Sequence, residues 1–335
     1  MMFKKSYFSI FILASIAACS STQHSQVLVV AHRSAPGYLP EHTLAGVAMA
    51  HSWNVDYVEP DVVLTKDGVP VILHDVQLDT TTNVEKLFPK RKRKDGHYYA
   101  IDFTLAEVKS LNVHERANEK TGKAVFPKRF PIENEFFKVP TLDEYLKLVN
   151  GLNKSRSANV GVYLELKADT LHKMAKMDLQ TATLRVLEAN GFLDPSKKLI
   201  LQSFEPETLK SLRKKLGPNV TLLQLVGETA WSGGLIDYDA MRTPVGLKAI
   251  AEYANGLGPQ ITDLYDLKDG KIVSNGLAEE AHRLGLKVHP YTHRVDALSE
   301  GFEDDEKLFK FLFDDLKVDG IFSDFGDRAL MLLGR

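Results

Sequence analysis

The chain has 335 residues, 44% hydrophobic and 26% charged, with a formal net charge of −2. That balance is ordinary for a soluble globular protein, and a single barrel domain can run to this length. The near-neutral charge gives no footprint for nucleic acid, and a lone cysteine, Cys19, excludes an internal disulfide.

The first eighteen residues differ from the rest. Lys4-Lys5 is a positive start, and the apolar run over 7–18 is too short for a membrane span of about 20 helical residues. Ile16-Ala17-Ala18-Cys19 resembles a bacterial lipobox, which predicts cleavage after residue 18 and a lipid anchor on Cys19. Residues 19–26 are short and polar, a tether to a domain over 27–335. Ser20 after the cysteine, by its resemblance to lipoprotein sorting signals, implies a periplasmic protein held at the outer membrane.

Runs of β-branched and apolar residues then recur, over 27–31, 57–64, 161–166, 199–203, 221–226, 255–259, 287–291 and 320–323. Helix-like segments lie between them, over 175–190, 206–216, 244–253, 276–284 and 306–316; Thr104 with Glu107 and Thr141 with Glu144 fit capping boxes. Strand–helix alternation of this kind predicts an α/β (β/α)8 TIM barrel. Thr65-Lys66-Asp67-Gly68 reads as a hairpin turn, which folds 69–74 back beside the second strand and delivers His74 to it. Residues 76–140 are too long for a plain loop and read as an insertion after the second strand. Its aromatics, Phe88, Tyr98, Tyr99 and Phe103, are expected to pack on the barrel mouth. Its basic run over 90–94 reads as a solvated face or as an attractor of anions.

Polar residues gather where the strands end. His32 and Arg33 end the first, and Glu59 and Asp61 interrupt the second, two apart and therefore on one face. Glu165 and Lys167 share a face at the third. Ser203, Tyr291 with Thr292, and Asp324 end the fourth, seventh and eighth. In a barrel of this type the site lies at that end of the strands.

The pattern HR-x-A-x-G-Y-x-P-E-x-T, then E-x-D, T-K-D-G and H-D resembles the glycerophosphodiester phosphodiesterase family, closest to its bacterial periplasmic type. The resemblance continues through Glu165-Leu166-Lys167, Gln202-Ser203-Phe204 and VHPYTHR, nearly all of the chain after residue 26. It implies hydrolysis of deacylated phospholipids to sn-glycerol 3-phosphate and an alcohol. By resemblance the metal ligands are Glu59, Asp61 and Glu165, a hard oxygen set that suits Ca²⁺, or Mg²⁺, over zinc. His32 and His74 become acid and base, Arg33 and Lys167 hold the phosphate, and Phe204 and Tyr291 form pocket walls. The family route has the glycerol 2-hydroxyl attack and pass through a cyclic phosphate. A barrel phospholipase acting on intact lipid and a non-enzymatic binding lipoprotein are the alternatives. His42, in the P-E-x-T turn, reads as structural, and His289 or His293 is a candidate for the pocket lining. Three positions depart from the family: Ser34 replaces a glycine, Pro60 separates two ligands, and Thr80 stands where relatives often carry arginine.

Overall fold

The computed structural model describes residues 27–335. The expected signal segment, the anchor at Cys19 and the tether lie outside the described residues. Twelve strands are present: β1 (Leu28–Ala31), β2 (Tyr57–Val58), β3 (Asp61–Leu64), β4 (Pro70–Ile72), β5 (Gly161–Leu166), β6 (Leu199–Ser203), β7 (Thr221–Leu225), β8 (Gly256–Gly258), β9 (Tyr265–Lys268), β10 (Lys271–Ser274), β11 (Lys287–Val288) and β12 (Gly320–Ser323). Among these described strands, all but β4, β9 and β10 form a nearly closed barrel of 8 parallel strands, in which β2 and β3 act as one. The order around the wall is β11-β8-β7-β6-β5-β2-β1-β12. The seam between β12 and β11 is bridged past the end of the short strand, by Phe322 N–H donating to Pro290 O (3.1 Å) and His293 N–H to Phe322 O (2.8 Å).

The expected strand over 57–64 is broken after Val58, because Pro60 has no N–H to give to the ladder. The register nevertheless runs on: Tyr57 faces Gly161 and Asp61 faces Glu165 across β5. Gly161 is required here, since a Cβ would sit 2.4 Å from the Tyr57 ring. The hairpin forms as expected, with Gly68 at φ +78° and its N–H donating to Thr65 O at 2.9 Å. Both capping boxes are made, by Thr104 with Glu107 and by Thr141 with Glu144.

Other boundaries move for local reasons. The helix expected over 175–190 is Leu179–Ala189, preceded by a separate helix Asp169–Met174; the break falls at Lys176, whose φ is +59°. The helix expected over 306–316 is Asp305–Phe309 and continues in wider π turns over Lys310–Asp315. The strand expected over 287–291 keeps only two residues, because Pro290 follows. The antiparallel pair β9–β10 is an addition not foreseen.

Three apolar clusters hold the described residues together. One fills the barrel interior with Val30, Tyr163, Ile200, Leu223, Leu225 and Phe322. The largest lies between the strands and the outer helices. The third belongs to the insertion, whose Tyr98 and Phe103 are fully buried against Val63, Val71 and Leu73. These two rings are thus seated on the β3–β4 hairpin rather than on the barrel mouth, each contributing about 1.5–3 kcal/mol by burial. Its basic run is internally paired: Arg91 bonds Glu107 and lies 4.3 Å over the Phe103 ring, Lys92 meets Glu85, and Arg93 forks onto Asp102. None of these residues lines the cavity described next, so the anion-attractor reading of the run gains no support from geometry. No described helix is long and apolar enough to cross a membrane.

Candidate active site

A cavity of about 930 Å³ opens at the C-terminal ends of the strands. One wall carries His32, Arg33, Glu59, His74, Glu165 and Lys167, and the other carries Phe204, Trp231, Tyr238 and Tyr291. Of the residues expected as metal ligands, acid–base pair, phosphate holders and pocket walls, Asp61 alone does not line this cavity and is fully buried. Neither His289 nor His293 reaches the cavity: His289 bonds the Tyr163 hydroxyl (3.0 Å) and lines a separate space at the other end of the barrel, and His293 bonds Ser323 (2.8 Å).

The turn after β1 aims the first residues. Arg33 and Ser34 have φ of +48° and +80°, a left-handed bend costing roughly 1–2 kcal/mol per non-glycine residue. The bend points the Arg33 N–H at Glu59 Oε2 (2.7 Å). The Ser34 hydroxyl is spent on Tyr145 (3.3 Å) and does not line the cavity, which removes it from substrate binding.

Each cavity histidine is held by a carboxylate through Nδ1. His32 meets Asp324 Oδ1 and His74 meets Asp75 Oδ1, both at 2.6 Å. Burial opposes ionisation of both acids, but Arg294, His32 and Arg129 hold Asp324 far below the usual carboxylate range, and His74 and Arg116 do the same for Asp75. An ionised carboxylate only accepts, so each Nδ1 must carry the proton and each Nε2 lone pair is left for the cavity. Burial and then Arg33 push His32 down to about 4, although Asp324 pulls upward. Burial, Arg33 and Lys167 push His74 down to about 3. Both rings are therefore neutral near pH 7 while the cavity is without an anion.

The carboxylates converge with too little positive charge. Burial and then Asp61 and Glu165 raise Glu59 well above the usual range, and burial likewise raises Glu165. Asp61 is kept ionised against burial by Lys167, His74 and His42. Lys167 Nζ lies 2.9 Å from Glu165 Oε1 and 3.9 Å from Asp61 Oδ1, and Gln202 donates to Glu59 Oε1 at 3.0 Å. Asp61 Oδ1 is buried without a hydrogen-bond partner. An orphaned anionic oxygen among like charges fits a hard divalent cation.

His42, read from the sequence as structural, holds a carboxylate of this cluster. Its Nε2 lies 2.7 Å from Asp61 Oδ2, and its ligand atom with those of Glu59 and Asp61 falls within a 4.8 Å cluster that could hold a metal. Sequence reasoning assigns Asp75 and Asp324 no role as histidine holders; the H-D step and the end of the eighth strand are the signals that point to them. Glu41, which bonds Arg33 (3.0 Å) and Arg116 (2.6 Å), sits beside His42 in the same turn.

Comparison with known proteins agrees with this geometry. The profile of the glycerophosphoryl diester phosphodiesterase family matches residues 32–328. The chain is 37% identical to a glycerophosphodiester phosphodiesterase of Haemophilus influenzae, over 95% of each chain. It is 30% identical to the enzyme of that name in Treponema pallidum, over 96% of this chain and 95% of that one. A crystal structure of a Silicibacter pomeroyi protein named for the same activity is similar at 28% identity and a TM-score of 0.67, over 92% of both chains. A match over nearly the whole barrel, together with the histidine and carboxylate cluster at its mouth, makes this chain a member of the glycerophosphoryl diester phosphodiesterase family.

Proposed function

We propose that the protein hydrolyses glycerophosphodiesters to sn-glycerol 3-phosphate and an alcohol, with a divalent cation, Ca²⁺ or Mg²⁺, held by Glu59, Asp61 and Glu165. The observation that carries the reading is that two carboxylate-held histidines and a charge-deficient carboxylate cluster face one cavity. The cation would supply Lewis-acid stabilisation of charge on the phosphoryl oxygens. Arg33 and Lys167 bind the phosphate as a planar fork and as a point charge. Once the anion meets these two cations, their depression of His74 is relieved, so a histidine can gain the proton that the leaving oxygen needs. The other takes the proton of the attacking oxygen, by the family route the glycerol 2-hydroxyl. That attack frees the alcohol and leaves a cyclic phosphate, which water then opens to sn-glycerol 3-phosphate, the two histidines exchanging roles. Phe204 and Tyr291 wall the cavity on the far side. Purified protein should release sn-glycerol 3-phosphate from glycerophosphocholine with added Ca²⁺ and stop, reversibly, on chelation. Full turnover by chelated protein with no metal bound would overturn the metal assignment. Attack on intact phospholipid alone would overturn the substrate class.

The proposed address is the periplasm, with lipid on Cys19 tying the domain to the outer membrane. The support is the lipobox-like run before Cys19 and the serine after it. Cys19→Ala should move active protein into the soluble fraction, and unchanged membrane association would rule the anchor out.

A further inference from the structure

We infer that the insertion supplies two positioning residues, Arg116 and Arg129, each of which fixes the carboxylate behind one of the two cavity histidines. The inference rests on the acid–base roles proposed for His32 and His74.

The two arrangements mirror each other. Arg116 NH1 donates to Asp75 Oδ2 at 2.6 Å, while Asp75 Oδ1 holds His74. Its Nε and NH2 fork onto Glu41 at 3.0 and 2.6 Å, so the guanidinium is locked in plane. Arg129 NH2 donates to Asp324 Oδ2 at 2.8 Å, while Asp324 Oδ1 holds His32. Its Nε and NH2 fork onto Asp296 at 2.8 and 2.9 Å, and the guanidinium lies 3.7 Å over the Phe126 ring. The Arg129 side chain is only 3% exposed. In each case one carboxylate oxygen faces a histidine and the other faces an arginine from the same irregular segment. Without its arginine the carboxylate could turn about its own bond, and the ring it holds would lose its tautomer and its aim. The surroundings differ in one respect. Asp324 Oδ2 also receives Arg294 at 2.8 Å, whereas Asp75 Oδ2 keeps only the Thr80 hydroxyl at 2.7 Å. Arg116 also reaches the Thr80 hydroxyl at 3.3 Å. The ionic hold on Asp75 thus comes from the insertion.

The test uses full-length protein and Arg116→Ala, Arg116→Lys, Arg129→Ala and Arg129→Lys. Arg116→Ala should lower kcat about 30-fold and Arg129→Ala about 10-fold, with KM changed less than about threefold. Lysine should restore part of each loss, and added guanidinium chloride should restore part of the alanine losses. Imidazole ¹⁵N shifts give a readout independent of turnover. Arg116→Ala should loosen the Nδ1–H tautomer of His74 and spare His32, and Arg129→Ala should do the reverse. Unchanged kcat and unchanged shifts in variants that melt cooperatively would overturn the inference. So would losses accompanied by equal shifts at both histidines, which report general loosening. A wild-type protein without diesterase activity would instead overturn the proposed function, while the shifts would still decide the positioning role.

Discussion

Alanine at His32, or at His74, is expected to lower kcat by at least about 10²-fold while fold and metal content are kept. The fold should survive because the carboxylates left behind are still held, Asp324 by Arg129 and Arg294, Asp75 by Arg116 and Thr80. The double variant should be little worse than the worse single one, since residues acting as one unit do not add. The pH dependence carries a sign. In the unliganded protein both rings are depressed, to about 4 and about 3, chiefly by burial and then by nearby cations. A bound phosphodiester neutralises those cations and raises the rings. The alkaline limb of kcat should therefore lie at higher pH than that of kcat/KM, and each limb belongs to the pair. Near-normal turnover in either single variant would remove that residue from the chemistry.

Glu59→Gln, Asp61→Asn and Glu165→Gln should each cost at least about 10²-fold in activity, yet Glu59→Gln and Glu165→Gln should stabilise the chelated protein. The opposition follows from the charge deficit. Glu59 and Glu165 bind protons more tightly folded than unfolded, because burial and their anionic neighbours penalise the charged form. Their contribution is favourable below the unfolded carboxylate range and is lost as pH rises through the raised values. Asp61 is shifted downward and loses its contribution only in stronger acid, outside that window. The Tm of chelated wild type should thus fall as pH rises above the usual carboxylate range, and Ca²⁺ should abolish the fall. The two glutamine variants should flatten it and lose the gain from Ca²⁺. Identical Tm profiles with chelator and with Ca²⁺ would argue against a cation at this cluster.

What could be read from the sequence was what repeats or is local. The alternation that puts Glu59 and Asp61 on one face, the Asp-Gly hairpin that returns His74, and both capping boxes depend on neighbours a few residues apart. The barrel order follows from counting such units. The holders of the histidines were out of reach for a different reason. His32 meets a partner 292 positions away, and Arg116 and Arg129 lie in a segment with little periodicity to place them. The contact of His42 with Asp61 was not legible because it depends on the bend at Arg33 and Ser34, positions where a left-handed backbone is not the default.

The pairing of β1 with β12 has a consequence for how the enzyme comes into being. Leu28 to Ala31 lie against Gly320 to Ser323, and the same join brings Asp324 to His32. During synthesis the first strand emerges early and has no partner on that side until the last strand is made. A chain stopped before residue 320 has neither a second neighbour for β1 nor the carboxylate for His32. Closure over such a separation is entropically late, because distant ends meet only after local structure has shortened the path between them. A product that lacks the final strand is left with an open sheet edge and without the carboxylate that holds His32.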